Sequence, residues 1–120
     1  MHGTQATANN PRNETLDFTF VEDTAQGVKD ITLSQGACND IFNVTRGEGR
    51  SLMEAIEIIQ ESFPEFQVRI NSDNSFYPKR GALDISKARS CAGYDPLYSL
   101  EAGIQKYITY LQGNYDEETL

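Results

Sequence analysis

The sequence contains few of the residues that metal and thiol chemistry require. It has one histidine, His2, and two cysteines, Cys38 and Cys91, which lie far apart and form no Cys-x-x-Cys pair. A structural zinc site takes closely spaced Cys and His ligands, and a thiol nucleophile takes a histidine base. The composition therefore argues against both kinds of site, and we expect no metal ligands and two small buried thiols.

Long apolar runs and positive charge are also scarce. No run approaches the about 18 apolar residues that a membrane span needs, and residues 1–15 lack the basic start and apolar middle of a secretory signal. The chain has 10 basic and 18 acidic residues and a net charge of -8, which would repel nucleic-acid phosphates and anionic lipid. We therefore predict a cytoplasmic protein that binds neither nucleic acid nor membrane.

The pattern of polar and apolar residues is that of one small globular domain. The chain has 120 residues, of which 38% are hydrophobic and 23% charged, so it can bury a core. Residues 1–15 show no periodicity and are predicted to be a flexible leader. Residues 16–112 are predicted to form the folded domain, and residues 113–120 an acidic tail.

Alternation, capping and turn signals predict an α/β fold. The clearest signal is the capping box Ser51/Glu54, which is followed by apolar residues at helical spacing up to Pro64. Together the signals predict a small, partly parallel sheet with about four short strands and three to four helices. Strands are predicted at 16–21, 40–45, 66–70 and 82–84, and the other helices at 24–34, 86–92 and 99–111.

Two acidic residues and one glycine-rich turn suggest function, but a structural role is favoured for each. Asp23 and Asp84 precede helical segments and are expected to cap them. The sequence RGEGR places Gly47 and Gly49 before a helix, where backbone N–H groups could hold phosphate. It lacks the Lys and Ser/Thr of a P-loop, so a tight strand-to-helix turn is the favoured interpretation.

One group of cations is the candidate substrate-binding site. Arg69, Lys79 and Arg80 flank a single loop, and three cations could offset the charge of two phosphates. The alternative, which is favoured, is that they are solvated surface charges. Tyr107 and Tyr110 of the last helix could stack on a ligand ring, but one is expected to lie in the core and the other to be half-exposed.

Three stretches, in order, resemble the carboxyl-terminal part of the extended short-chain dehydrogenase/reductase family, the NAD-dependent nucleotide-sugar epimerases and dehydratases. They are LDFTFVEDTAQGV (16–28), IFNVTRGEGRSLMEAIEII (41–59) and ALDISKARSCAGYDPLYSLEAGIQKYI (82–108). The resemblance implies a fragment of a Rossmann-type epimerase that contributes to sugar-nucleotide binding.

The resemblance also implies catalytic chemistry whose residues this sequence does not contain. The family binds NAD on a Gly-x-x-Gly-x-x-Gly turn, and its catalytic base is a Tyr with a Lys four positions later; no glycine set fits, and none of the six tyrosines has that Lys. The family often has a diphosphate-binding Arg where this chain has Leu16. We therefore expect no catalytic and no cofactor-binding residue in this chain, NAD belonging to the intact family.

Three hypotheses about function stay open. The chain is the substrate-side portion of such an enzyme, inactive alone, or a truncated module that acts in self-association or protein binding, or an independent small-ligand domain that uses the cations Arg69, Lys79 and Arg80. In the family, the strand matching IFNV (41–44) runs beside the nucleotide-binding sheet, so its edge would lack a partner here. The expected partners are a nucleotide sugar and either a second copy or the missing amino-terminal Rossmann half.

Overall fold

A computed structural model describes residues 5–37, 39–72 and 78–115. Across these residues the chain forms four strands and four α-helices, which confirms the predicted α/β class. Within the same ranges, no helix combines the length and the hydrophobicity that crossing a bilayer requires. The elements are β1 (Ala6–Asn9), β2 (Thr15–Asp17), α1 (Val21–Leu33) with a 3-10 turn (Gln35–Ala37), β3 (Gly49–Ser51), α2 (Leu52–Ser62), β4 (Val68–Asn71), α3 (Ser86–Ala92) and α4 (Leu100–Asn114).

The strands form two small ladders. Strands β1 and β4 are parallel, with Ala6 opposite Val68, and β2 and β3 are antiparallel, with Leu16 opposite Arg50. Strand β1 lies inside the stretch expected to be a flexible leader, so the expected absence of structure there is wrong for Ala6–Asn9. Its short, small side chains give no recognisable alternation, and its hydrogen-bond partners come from a strand 62 residues later.

Helix α2 forms as its capping residues predict. The Glu54 N–H donates to Ser51 Oγ at 3.2 Å, and the Ser51 N–H donates to Glu54 Oε2 at 2.7 Å, which is a complete capping box. Ala55 and Ile56 are buried, as the apolar spacing requires. The helix ends at Ser62, two residues before Pro64.

Helices α3 and α4 also begin and end near the expected residues. Gly93 has a φ of 68°, in the left-handed region, and ends α3 with its N–H on the Arg89 carbonyl at 3.0 Å. Ser99 Oγ accepts from the Ala102 N–H at 3.2 Å and starts α4, which continues to Asn114. Of the two cysteines, Cys91 is half-buried and Cys38 lies outside the described residues.

Two predicted strands are not strands. None of residues 40–45 belongs to a ladder, although Phe42 and Val44 pack against the core formed by Ile85, Ala88 and Tyr94. Residues 82–84 are also outside any ladder, because the Leu83 N–H donates to a side chain, Asp17 Oδ2, at 2.9 Å.

Candidate functional site

Two of the three predicted cations line one cleft. Lys79 and Arg80 are exposed and border a cleft of about 190 Å³. Sites that enclose a whole drug-sized ligand measure roughly 300–1,000 Å³, so this cleft is smaller than such a site. Four of its other lining residues offer amide, carboxylate and hydroxyl groups, and the fifth is a proline: Asn10, Asn13, Glu14, Thr15 and Pro78.

A tight turn fixes one wall of the cleft. Asn10 has a φ of 45° and donates its N–H to the Asn71 carbonyl at 2.9 Å, which continues the ladder of β1 and β4. The Pro11 and Glu14 carbonyls accept from the N–H groups of Met53 at 3.0 Å and Leu52 at 2.9 Å. This turn therefore occupies the first N–H groups of α2, and the cations at 79 and 80 supply the positive charge of the cleft.

Arg69 is separate from this cleft. It is exposed on β4, opposite Thr7 in the parallel register, and it is not among the lining residues. Among the described residues, the ion pairs involve other cations, so Arg69, Lys79 and Arg80 have no carboxylate partner within 4 Å. The structure thus brings together Lys79 and Arg80 but does not place Arg69 with them.

The RGEGR turn is held by side chains and does not offer a phosphate loop. Asp17 Oδ1 accepts from the Gly47 N–H at 3.1 Å, and Thr19 Oγ1 accepts from the Arg46 N–H at 2.9 Å. Gly47 has a φ of 74°, which favours glycine. The same Asp17 carboxylate also binds the Leu83 N–H, so it joins this turn to residues 82–108, which we call the closing segment.

Arg50 lies opposite Leu16 but is fully engaged. Its guanidinium donates to Glu101 Oε1 at 2.5 Å and to Glu54 Oε1 at 2.8 Å. The bond to Glu101 contributes most to raising the pKa of Arg50, and the bond to Glu54 contributes next. The Arg50 guanidinium in turn lowers the pKa of Glu101 to about 2. Arg50 therefore stabilises the contact between α2 and α4, and it does not replace the diphosphate-binding Arg that the family often has at the position of Leu16.

Asp23 is not the helix cap that the sequence predicts. Helix α1 begins at Val21, so Asp23 lies inside its first turn, 3% exposed. Its two carboxylate oxygens accept from the N–H groups of Leu97 at 2.8 Å and Tyr98 at 2.9 Å. Asp23 thus fastens the closing segment to α1. Asp84 lies one residue before the N-cap of α3, which is Ile85, and its carboxylate accepts from the Ser86 N–H, the first N–H of the helix, at 2.9 Å.

A tyrosine and a lysine that lie eight positions apart in the sequence, and not four as in the family's catalytic pair, contact each other on the surface. Lys106 Nζ donates to Tyr98 Oη at 2.7 Å and to Glu22 Oε2 at 2.6 Å, and Tyr98 Oη donates to the same Glu22 oxygen at 2.9 Å. The pairing with Glu22 raises the pKa of Lys106, and Lys106 lowers the pKa of Glu22. Because Glu22 balances the lysine charge, this cluster is an ion-pair network that joins α1 to α4.

The aromatic residues of α4 differ from expectation in their burial. Tyr107 and Tyr110 are 55% and 57% exposed, so neither lies in the core. Their rings stack on each other with centroids 6.5 Å apart and an interplanar angle of 11°. The apolar face of α4 that is buried contains Leu100, Gly103 and Ile108 instead.

The polar wall of the cleft was not predicted from the sequence. Asn10, Asn13, Glu14 and Thr15 belong to, or border, the stretch that was expected to be a leader, because they carry no periodicity. The local signal that could have revealed a turn is Asn10-Pro11, since Asn tolerates positive φ and Pro fixes the next residue.

Comparison with known proteins supplies relatives for this fold. No protein-family model matches the chain. An uncharacterized UDP-glucose epimerase of Bacillus subtilis is 26% identical over 106 residues, which are 88% of this chain and 34% of that protein. UDP-glucuronic acid decarboxylase 3 of Arabidopsis thaliana is 25% identical over 105 residues, which are 87% of this chain and 30% of that protein.

Comparison with solved structures gives the same kind of relative. The ADP-L-glycero-D-manno-heptose-6-epimerase of Helicobacter pylori superposes with a TM-score of 0.78 at 25% identity, over 89% of this chain and 33% of that one. A UDP-glucuronic acid 4-epimerase of Bacillus cereus, solved with UDP-glucuronic acid and NAD, gives a TM-score of 0.74 at 24% identity, over 91% of this chain and 35% of that one. The chain thus spans about a third of the length of its relatives. The predicted resemblance to the NAD-dependent nucleotide-sugar epimerases and dehydratases is confirmed.

Proposed function

We propose that this chain is the carboxyl-terminal, substrate-side part of a cytoplasmic NAD-dependent nucleotide-sugar epimerase or dehydratase, which binds sugar nucleotide and has no catalytic activity alone. The observation that carries the proposal is the match itself: nearly nine-tenths of this chain aligns with about a third of each relative. The three stretches that resemble the carboxyl-terminal part of the family's sequences are the second support for the proposal.

The cleft supplies the binding groups of this proposal. Lys79 and Arg80 would contact the diphosphate, because both are exposed at the cleft and, within the part of the chain that the structure describes, neither forms an ion pair with a carboxylate. The side chains of Asn13 and Thr15 would hydrogen-bond to hydroxyl groups of the sugar or the ribose. The modest volume of the cleft suits a diphosphate with one neighbouring ring, and the remainder of the ligand would lie outside it.

The residues of this chain do not fit NAD. The closest glycines, Gly47 and Gly49, lack the family spacing, and the Gly47 N–H is already bonded to Asp17. The Tyr98–Lys106 pair is neutralised by Glu22 and lacks the family offset. We therefore derive no hydride or proton transfer from this chain and assign it binding alone.

Calorimetric titration with UDP-glucose tests the proposal. We expect saturable binding that falls at least about tenfold in the Lys79→Ala/Arg80→Ala double variant, since charge-assisted bonds contribute about 1.5–3 kcal/mol each. The matched control is Lys29→Ala/Arg89→Ala, which removes the same two residue types outside the cleft lining and should leave affinity unchanged. Absence of heat from the wild-type chain, or equal losses in both double variants, would contradict the proposal.

A further inference from the structure

Glu14 brings a negative charge into the cleft that Lys79 and Arg80 line. It is half-buried and belongs to the lining. None of the ion pairs within the described ranges includes Glu14, so its carboxylate lies more than 4 Å from the charged groups of both cations. The cleft therefore carries two positive groups and one negative group that are not paired with each other.

The backbone is fixed on both sides of the Glu14 side chain. The Glu14 carbonyl accepts from the Leu52 N–H at 2.9 Å, which ties it to the start of α2. The next residue, Thr15, pairs with Ser51 in the antiparallel ladder of β2 and β3. Only rotation of the side chain is left to move the carboxylate, so its negative charge is a built-in part of the cleft wall.

The balance of charge in the cleft bears on which sugar it accepts. The diphosphate of a sugar nucleotide carries two negative charges, and the two cations Lys79 and Arg80 balance them. Among the described lining residues no further positive group is left for a third negative charge, and Glu14 would repel one. A neutral sugar presents hydroxyl groups instead, and these can donate hydrogen bonds to a carboxylate.

We propose that Glu14 determines the specificity of this cleft for the sugar: its carboxylate accepts hydrogen bonds from the hydroxyl groups of a neutral sugar and repels a sugar that carries a carboxylate. The inference rests on the proposed function, because it requires the diphosphate to lie on Lys79 and Arg80. The substrate class is then the nucleoside-diphosphate sugars whose sugar ring bears no negative charge, and uronic acid derivatives are excluded.

Calorimetric titration with two ligands that differ only at carbon 6 of the sugar tests this assignment. UDP-glucose has a hydroxymethyl group there, and UDP-glucuronic acid has a carboxylate. We expect the wild-type chain to bind UDP-glucose at least about tenfold more tightly, because bringing like charges together in a cleft lowers affinity by at least that factor. Glu14→Gln keeps the size of the side chain and removes its charge, so the ratio of the two Kd values should fall below about threefold.

Glu57→Gln is the matched control, because it removes the same charge from an exposed position on α2 outside the cleft lining and should leave the wild-type ratio unchanged. Equal affinity of the wild-type chain for both ligands, or the same ratio in wild type and Glu14→Gln, would overturn the role of Glu14 and leave the proposed function standing. Absence of saturable binding of either ligand to the wild-type chain would overturn both proposals. Far-UV circular dichroism would verify that each variant is folded, and the wild-type comparison needs no variant.

Discussion

Replacing Asp23 with alanine should cost this protein a large part of its stability. The carboxylate is 3% exposed and is the acceptor for two backbone N–H groups, those of Leu97 and Tyr98. Alanine removes both acceptors and leaves the two N–H groups, which are partly buried, without their carboxylate partner. The closing segment would then lose its attachment to α1.

The magnitude follows from the number and kind of these bonds. A hydrogen bond to a charged group contributes about 1.5–3 kcal/mol net, so we expect Asp23→Ala to lower the free energy of unfolding by about 3–5 kcal/mol. A domain of this size has about 5–15 kcal/mol in total. Asp23→Asn keeps one acceptor oxygen and should lose about half as much. At an m-value of about 1.5 kcal/mol/M, the alanine variant would shift the urea midpoint by roughly 2 M or more.

Equilibrium urea unfolding followed by far-UV circular dichroism, at a concentration where the chain is monomeric, measures this loss. Asp95→Ala is the control, because Asp95 is 74% exposed and its one ion pair, to Arg89, is 3.5 Å long; we expect a change below about 0.5 kcal/mol there. If Asp23→Ala unfolded at the same urea concentration as Asp95→Ala, the assignment of Asp23 as an anchor would be refuted.

Two further outcomes are expected. Gly27→Ala should destabilise the protein by about 2 kcal/mol or more, because its Cβ would lie 2.4 Å from Val44 Cγ1. Gly113→Ala, whose Cβ would meet no atom of the described residues within 4 Å, should be neutral or stabilising. Thermal unfolding of both variants compares them, and equal melting temperatures would contradict this packing. Glu101 has its pKa lowered to about 2 by Arg50, so its contribution is complete above its ordinary value of 4.5 and is lost as the pH falls toward 2. Because Glu101 is 52% exposed, Glu101→Gln should cost less than about 1 kcal/mol at pH 7, and a difference from wild type that persisted at pH 2 would contradict the pairing.

The parts of the fold that depend on near neighbours could be read from the sequence. The box Ser51/Glu54, the stop at Gly93 and the cap at Ser99 each act within four residues, so local residue types were enough to predict α2, α3 and α4.

The features that were missed depend on distant segments. Asp23 accepts from the N–H groups of Leu97 and Tyr98, which lie 74 and 75 positions later in the sequence. Its role as a buried acceptor for these groups therefore could not be predicted from its neighbours, which suggested a helix cap. Strand β1 pairs with a segment 62 positions away, and small residues such as Ala6 and Ala8 do not form the alternating pattern that predicts a strand. The segment 40–45 has a strand pattern but no ladder partner among the described residues, so its pattern did not decide its conformation.

The residues of the candidate site also fall into two groups, those that the sequence indicated and those that it did not. Lys79 and Arg80 stand out in a chain of net charge -8, so the sequence indicated them. Asn13 and Thr15 could not be found, because the turn that carries them is positioned by α2, through the Leu52 and Met53 N–H groups. Arg69 is close to the other two cations in sequence, but the parallel ladder places it opposite Thr7, outside the lining of the cleft.

The turn at residues 10–14 has a consequence for how a ligand would be bound. Four backbone hydrogen bonds hold it, two of them to the start of α2 and one to the end of β4. The conformational entropy of that wall is therefore lost when the chain folds, before any ligand arrives. A ligand would find half of its site preorganised, and the remaining ordering cost on binding would fall on the side chains of Lys79 and Arg80.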